Sequence, residues 1–126
     1  EERRAQLLMD LSLNLKSLVS QRLLPRQEGK GRVAAVEILL NTPLIADMIF
    51  KGEVSDIKDL MKRSRELGMQ TFDQALFDLY ESNLVTYEDI LRNADSVNDL
   101  RLQVKLHSQR ARSSDLAAGT EHLTIV

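Results

Sequence analysis

The sequence predicts an α+β fold that is mainly α, with helices packed around a β-hairpin. Three observations predict it: an apolar stripe at three- and four-residue spacing near the start, two β-compatible runs split by a glycine-containing linker, and a succession of helix start signals through the second half. With 126 residues, 43% of them apolar, the chain can bury one ordinary core without metal or disulfide support.

Leu8, Leu11, Leu15 and Leu18, flanked by Leu7 and Val19, share one helical face and predict a long amphipathic helix from about position 3 to 20. Ser20 to Leu24 and Arg32 to Leu40 favour strands, and the linker Arg26-Gln27-Glu28-Gly29-Lys30-Gly31 supplies turn glycines, so a hairpin is expected. The run Val33-Ala34-Ala35-Val36-Glu37-Ile38-Leu39-Leu40 is apolar on both parities, which predicts a strand covered by helices on both faces.

Thr42 followed by Pro43 reads as an N-cap with proline at the first helical position, and the helix it opens ends before Gly52. Ser55 is placed as the cap of a further helix carrying Ile57, Leu60 and Met61, which ends near Leu67-Gly68, with Gly68 a hinge to the next helix. Thr71 with Gln74 matches a capping box ahead of Phe72, Ala75, Leu76, Leu79 and Tyr80, and Thr86 with Asp89 repeats the signal before Ile90 and Leu91. Ser96 with Asp99 starts a last helix, although Leu100, Leu102, Val104 and Leu106 alternate with polar residues as a strand would. The folded segment is expected over residues 1–107, and residues 108–126, which lack periodicity, as a disordered tail.

Composition narrows the function. Lys and Arg number 17 against 19 Asp and Glu, so no overall basic charge draws the chain to nucleic acid. The helix opened by Thr71 carries Asp73, Asp78 and Glu81 with no Lys or Arg, which opposes a role in reading DNA. There is no cysteine, no apolar run approaches the roughly 20 residues that span a bilayer, and Glu1-Glu2-Arg3-Arg4 does not begin a secretory signal. The start without Met, directly into a helical pattern, suggests a segment of a longer polypeptide.

No catalytic residue and no metal ligand is assigned. Gly29-Lys30 lacks the earlier glycine and the following hydroxyl of a phosphate-binding loop and falls in a turn. His107 and His122 have no partner at metal-ligand spacing, and the serines lack a nucleophile-elbow context. Lys58, Lys62 and Arg65 recur at helical spacing and read first as a solvated face, with a phosphate or acidic neighbour as the functional alternative. Leu44, Ile45, Met48 and Ile49 read as core, with a partner-binding face as the alternative.

Three blocks carry a resemblance: Gly31 to Pro43, then Leu44-Ile45-Ala46-Asp47-Met48-Ile49-Phe50-Lys51-Gly52, and the Gly68 to Arg101 region, which opens on Gly68, Met69, Gln70, Thr71, Phe72, Asp73 and Gln74. In this order and spacing they resemble the PilT/PilU family of type IV pilus retraction ATPases, from about Arg3 to Leu106. The second block is similar to that family's retraction-linked pattern Ala-Ile-Arg-Asn-Leu-Ile-Arg-Glu. Here Ala46 and Phe50 replace its arginines and Lys51 its glutamate, departures closer to the PilU branch.

The resemblance implies the second half of a RecA-like C-terminal domain, within a homo-hexameric ATP-driven motor for twitching motility. ATP and Mg2+ are then expected to bind the parent protein, with no cofactor in this segment. Implied partners are the other subunits, the pilus inner-membrane platform and a paralogous retraction ATPase, with no nucleic acid, and the implied location is cytoplasmic, peripheral to the bacterial inner membrane. The resemblance makes residues 44–51 candidates for a coupling helix and Gly68, Met69, Gln70, Thr71, Asp73 and Gln74 a family signature. The alternatives are a free-standing helical interaction module without nucleotide chemistry and a motor for pilus assembly.

Overall fold

The computed structural model describes residues 2–123, with side-chain surroundings through residue 117. In chain order the elements are α1 (Glu2–Asn14), β1 (Ser17–Pro25), β2 (Arg32–Leu40), α2 (Pro43–Lys51), α3 (Val54–Arg63), α4 (Phe72–Glu81), α5 (Tyr87–Asn93), α6 (Val97–His107) and α7 (Gln109–Leu123), with a 3-10 turn at Arg65–Leu67. β1 and β2 form a two-stranded antiparallel sheet, so the mainly helical class built around a hairpin holds. Gly29 and Gly31 take φ of 82° and 107° in the connecting turn, backbone that glycine adopts without steric cost.

The chain divides into two compact units, Glu1–Gln21 with Val36–Thr71, and Arg22–Ala35 with Phe72–Val126. The first buries Leu39, Ile45, Met48, Ile49, Ile57, Met61 and Met69, with Leu8, Leu15 and Leu60 packed against them. In the second, Leu24, Ala35, Phe72, Ala75, Leu76, Tyr80, Val85, Ile90, Leu100 and Val104 form the core.

Several local expectations change. The first helix stops at Asn14, six residues short of its predicted end, and Leu18 and Val19 lie in β1. Asn41 supplies the reason: its side-chain amide donates to Ser12 O and Leu15 O, and its backbone N–H to Lys16 O at 3.0 Å. Those bonds satisfy carbonyls that a helix end leaves open, and the strand ladder takes over from Ser17. β2 does not have two equally covered faces: Ala35 and Leu39 are buried, while Ala34, Val36, Ile38 and Leu40 are half-buried.

Thr42 caps α2 as predicted, its hydroxyl accepting the Ile45 N–H at 3.3 Å, and Gly52 ends the helix at φ 74° with its N–H on Ile49 O. A Cβ at Gly52 would meet Arg4 Nη2 at 3.5 Å, ordinary contact, so the backbone sets the cost of substitution. Gly52→Ala is expected to destabilise by about 1 kcal/mol and to lower the melting temperature by a few degrees, measured by circular dichroism.

α3 starts one residue before Ser55, with Glu53 at the cap position and no side-chain cap bond, so Ser55 is not the cap. It also ends at Arg63, and the 3-10 turn carries the chain to Gly68, whose φ of 94° closes that turn. Thr86 caps α5 as predicted, accepting the Asp89 N–H at 3.2 Å. The ambiguous segment 100–106 is helical: Leu100 and Val104, one turn apart, are buried, while Leu102 and Leu106 are exposed.

Where the sequence predicts a disordered tail from residue 108, the chain enters α7 over Gln109–Leu123; residues 124–126 of that segment lie outside the described residues. Ser108 is fully buried, bonded to Glu81 and accepting the Ala111 N–H at 3.0 Å. The Arg110 guanidinium stacks 4.3 Å from the Tyr80 ring and donates to Tyr80 O at 2.9 Å and Val85 O at 2.8 Å. These tertiary bonds hold the first turn of a helix whose sequence has no apolar stripe.

Candidate functional site

The candidate coupling helix is α2, and the structure splits its residues between two faces. Ile45, Met48 and Ile49 point into the core of their unit, Met48 with only 8% of its surface exposed. Leu44 is 55% and Phe50 53% exposed, and Asp47 and Lys51 are also exposed, so these four occupy the opposite face; Ala46 is half-buried. The apolar stripe of Ile45, Met48 and Ile49 is therefore core, and Leu44, Asp47, Phe50 and Lys51 form the face open to solvent. Lys51 Nζ pairs with Asp47 Oδ2 at 2.9 Å, one turn apart, and this bond raises the lysine pKa above its ordinary value.

Two of the signature residues, Gln70 and Asp73, clasp distant backbone. Gln70 bridges to β2, with the Ile38 N–H donating to Gln70 O at 2.8 Å and the Gln70 N–H to Ile38 O at 3.0 Å. Its side-chain amide also donates to Val36 O at 2.7 Å. Met69 is buried in the same unit. Gly68 leaves a space that a Cβ would fill at 3.6 Å from Leu40 Cδ1.

In the other unit Asp73, 8% exposed, accepts the Asp95 N–H at 2.9 Å and the Ser96 N–H at 3.1 Å on its two carboxylate oxygens. That fixes the turn from α5 into α6, where Ser96, at the cap position, makes no side-chain cap bond of its own. Arg22 supports the same turn, donating to Asn93 O at 2.6 Å and Asp95 Oδ1 at 2.8 Å while lying 4.0 Å from the Phe72 ring. Thr71 and Gln74 flank the start of α4 and both have interaction partners.

The remaining candidates disperse. Lys58, Lys62 and Arg65 all have partners, and Arg65 falls in the 3-10 turn beyond α3. His107 is exposed at the end of α6, and the surroundings of His122 lie outside the described side chains. Gly29-Lys30 sits in the hairpin turn as predicted. Sequence reasoning did not single out Arg22, Asn41, Arg110 or Glu37. Only Glu37 carried a signal, as the one charge inside the apolar run 33–40.

No family model matches the chain. The Type IV pilus ATPase PilU of Pseudomonas aeruginosa is 56% identical to it over 124 residues, a match covering 98% of this chain and 32% of that protein. The chain is a segment of the PilT/PilU family.

The Type IV pilus retractation ATPase PilT of the same organism is 36% identical over 93 residues, covering 74% of this chain and 27% of that protein. The gap between 56% and 36% agrees with the departures toward PilU read in residues 44–51. The crystal structure of the pilus retraction motor PilT with bound ADP matches with a TM-score of 0.67 at 32% identity, over 77% of this chain and 26% of that one. The chain thus spans about a third or less of the length of these PilT/PilU-family relatives.

Proposed function

We propose that this chain is the C-terminal part of a hexameric ATP-driven motor that powers type IV pilus retraction, and that its own contribution is to transmit subunit motion. The observation that carries the reading is the 56% identity to PilU across 98% of the chain. The residues present do not fit ATP or Mg2+: the Gly29-Lys30 pair lies in a hairpin turn and is followed by Gly31, with no hydroxyl to meet a cation. Nucleotide and metal therefore belong to other parts of the parent protein, and no step of hydrolysis is assigned to these residues.

The exposed face of α2 is the surface we assign to coupling, through Leu44, Asp47, Phe50 and Lys51. Its neighbours would be other subunits of the hexamer, the pilus inner-membrane platform or a paralogous retraction ATPase, on the cytoplasmic side of the inner membrane. Among the described residues no helix is long and apolar enough to cross a membrane.

The test compares the full-length parent protein with the 126-residue chain. The parent is expected to hydrolyse ATP in the presence of Mg2+ and the chain to show no turnover above a contamination control. Deletion of the parent gene should abolish twitching and leave excess surface pili. Turnover by the chain alone would overturn the reading, and loss of pili in the deletion strain would point to an assembly motor.

A further inference from the structure

Arg101 and Lys105 lie one turn apart on α6, both exposed, and among the described residues neither has an ion pair or a side-chain hydrogen bond. Like charges at that spacing repel each other along a helix, so an anion held between them is favoured. Both side chains line a cavity of about 530 Å³, which falls in the range of small-molecule sites. Its apolar wall is formed by Tyr80 and Val104, which are buried, and by Tyr87 and Ala111, which are half-buried. That wall is held in place. The Arg110 guanidinium lies 4.3 Å from the Tyr80 ring and donates to the Tyr80 and Val85 carbonyls, and the Tyr80 and Tyr87 rings stand 5.9 Å apart at 58° to each other.

The lining restricts what can enter. Tilted aromatic rings offer faces and edges against which a further ring packs, so the apolar wall suits an aromatic body. Arg101 presents a planar fork that matches a carboxylate, and Lys105 adds a point charge beside it. Asp115, on the α7 side of the same cavity, limits the charge of the head: two cations against one carboxylate leave room for a single negative charge and oppose a second. We propose that this cavity is a binding site for a small aromatic monocarboxylate, its carboxylate between Arg101 and Lys105 and its ring against Tyr80, Val104 and Ala111.

The experiment titrates phenylacetate into the 126-residue chain at neutral pH, with phenylacetamide as the uncharged analogue and phenyl phosphate as the doubly charged one, followed by methyl NMR and calorimetry. Phenylacetate is expected to shift the Val104 and Ala111 methyl signals and to bind at least about tenfold more tightly than phenylacetamide, which makes no charge-assisted bond with Arg101 or Lys105. Replacing both exposed cations together, Arg101→Gln with Lys105→Gln, should leave the fold intact and abolish the preference for phenylacetate over its amide. No saturable shift with phenylacetate, equal affinity for phenylacetamide, tighter binding of phenyl phosphate, or an unchanged preference in the folded double variant would each overturn the proposal.

Discussion

Met48→Asp is expected to lower stability by about 4 kcal/mol or more, and Leu44→Asp, four residues earlier on α2, to change it by no more than about 0.5 kcal/mol. The contrast follows from burial, since Met48 is 8% exposed among Ile45, Ile49, Ile57 and Met61, and Leu44 is 55% exposed. A carboxylate forced into that apolar cluster must either ionise away from solvent or displace the helix. Met48→Leu, which conserves volume, should cost less than about 1.5 kcal/mol. Urea denaturation of the 126-residue chain reads all three.

The same pair of variants separates coupling from folding in the full-length motor. A motility defect from Met48→Asp would report loss of the core, whereas one from Leu44→Asp, with hexamer assembly and ATP hydrolysis intact, would report a lost contact on the exposed face. If Leu44→Asp left twitching unchanged, the coupling role proposed for that face would fall. A stability loss from Leu44→Asp as large as that from Met48→Asp would contradict the burial on which the distinction rests.

Asp73→Ala is expected to cost about 3 kcal/mol, and Asp73→Asn about half of that. The carboxylate accepts two backbone N–H groups at the entry to α6, and alanine leaves both donors unanswered. Asparagine keeps one acceptor oxygen but turns an NH2 group toward the other donor. Hydrogen exchange at Asp95 and Ser96 should quicken in both variants, more in the alanine one, and urea denaturation supplies the magnitudes. A loss below about 0.5 kcal/mol for Asp73→Ala would mean that solvent replaces the carboxylate and the clasp contributes little.

What could be read from the sequence was what neighbouring residues decide among themselves. Thr42-Pro43 with Gly52, Thr86 with Asp89, and the glycines of the hairpin turn are local devices, and each appears where its residues place it. The failures lie where a distant residue intervenes. Leu15 and Leu18 share helical spacing, but Asn41, 26 residues from Leu15, takes the carbonyls at the end of α1 and the chain turns into a strand. The segment after Ser108 has no stripe to announce a helix, and its first turn is held by Glu81, Tyr80 and Val85 from elsewhere in the chain.

The candidate site shows the same division. Spacing placed residues 44–51 on one helix, but only tertiary packing reveals that Met48 faces the core and Phe50 does not. Asp73 was legible as part of a family pattern, whereas its partners, 22 and 23 residues further on, were not. Glu37 was visible as a charge in an apolar run, yet a cavity exists beside it only once α3 is laid against the hairpin.

Asp73 and Gln70 share a property with a practical consequence: the groups that answer their side chains are amides and carbonyls of the main chain. Every amino acid except proline presents the same amide, and every one presents the same carbonyl. The side chains at positions 36 and 96 can therefore be redesigned without depriving either residue of its partner, provided no proline enters at 96, whereas Asp95 also serves Arg22 through its carboxylate. A chimera that exchanges the α5–α6 turn between members of the family should keep this clasp as long as Asp73, the Arg22–Asp95 pair and the length of the turn are retained.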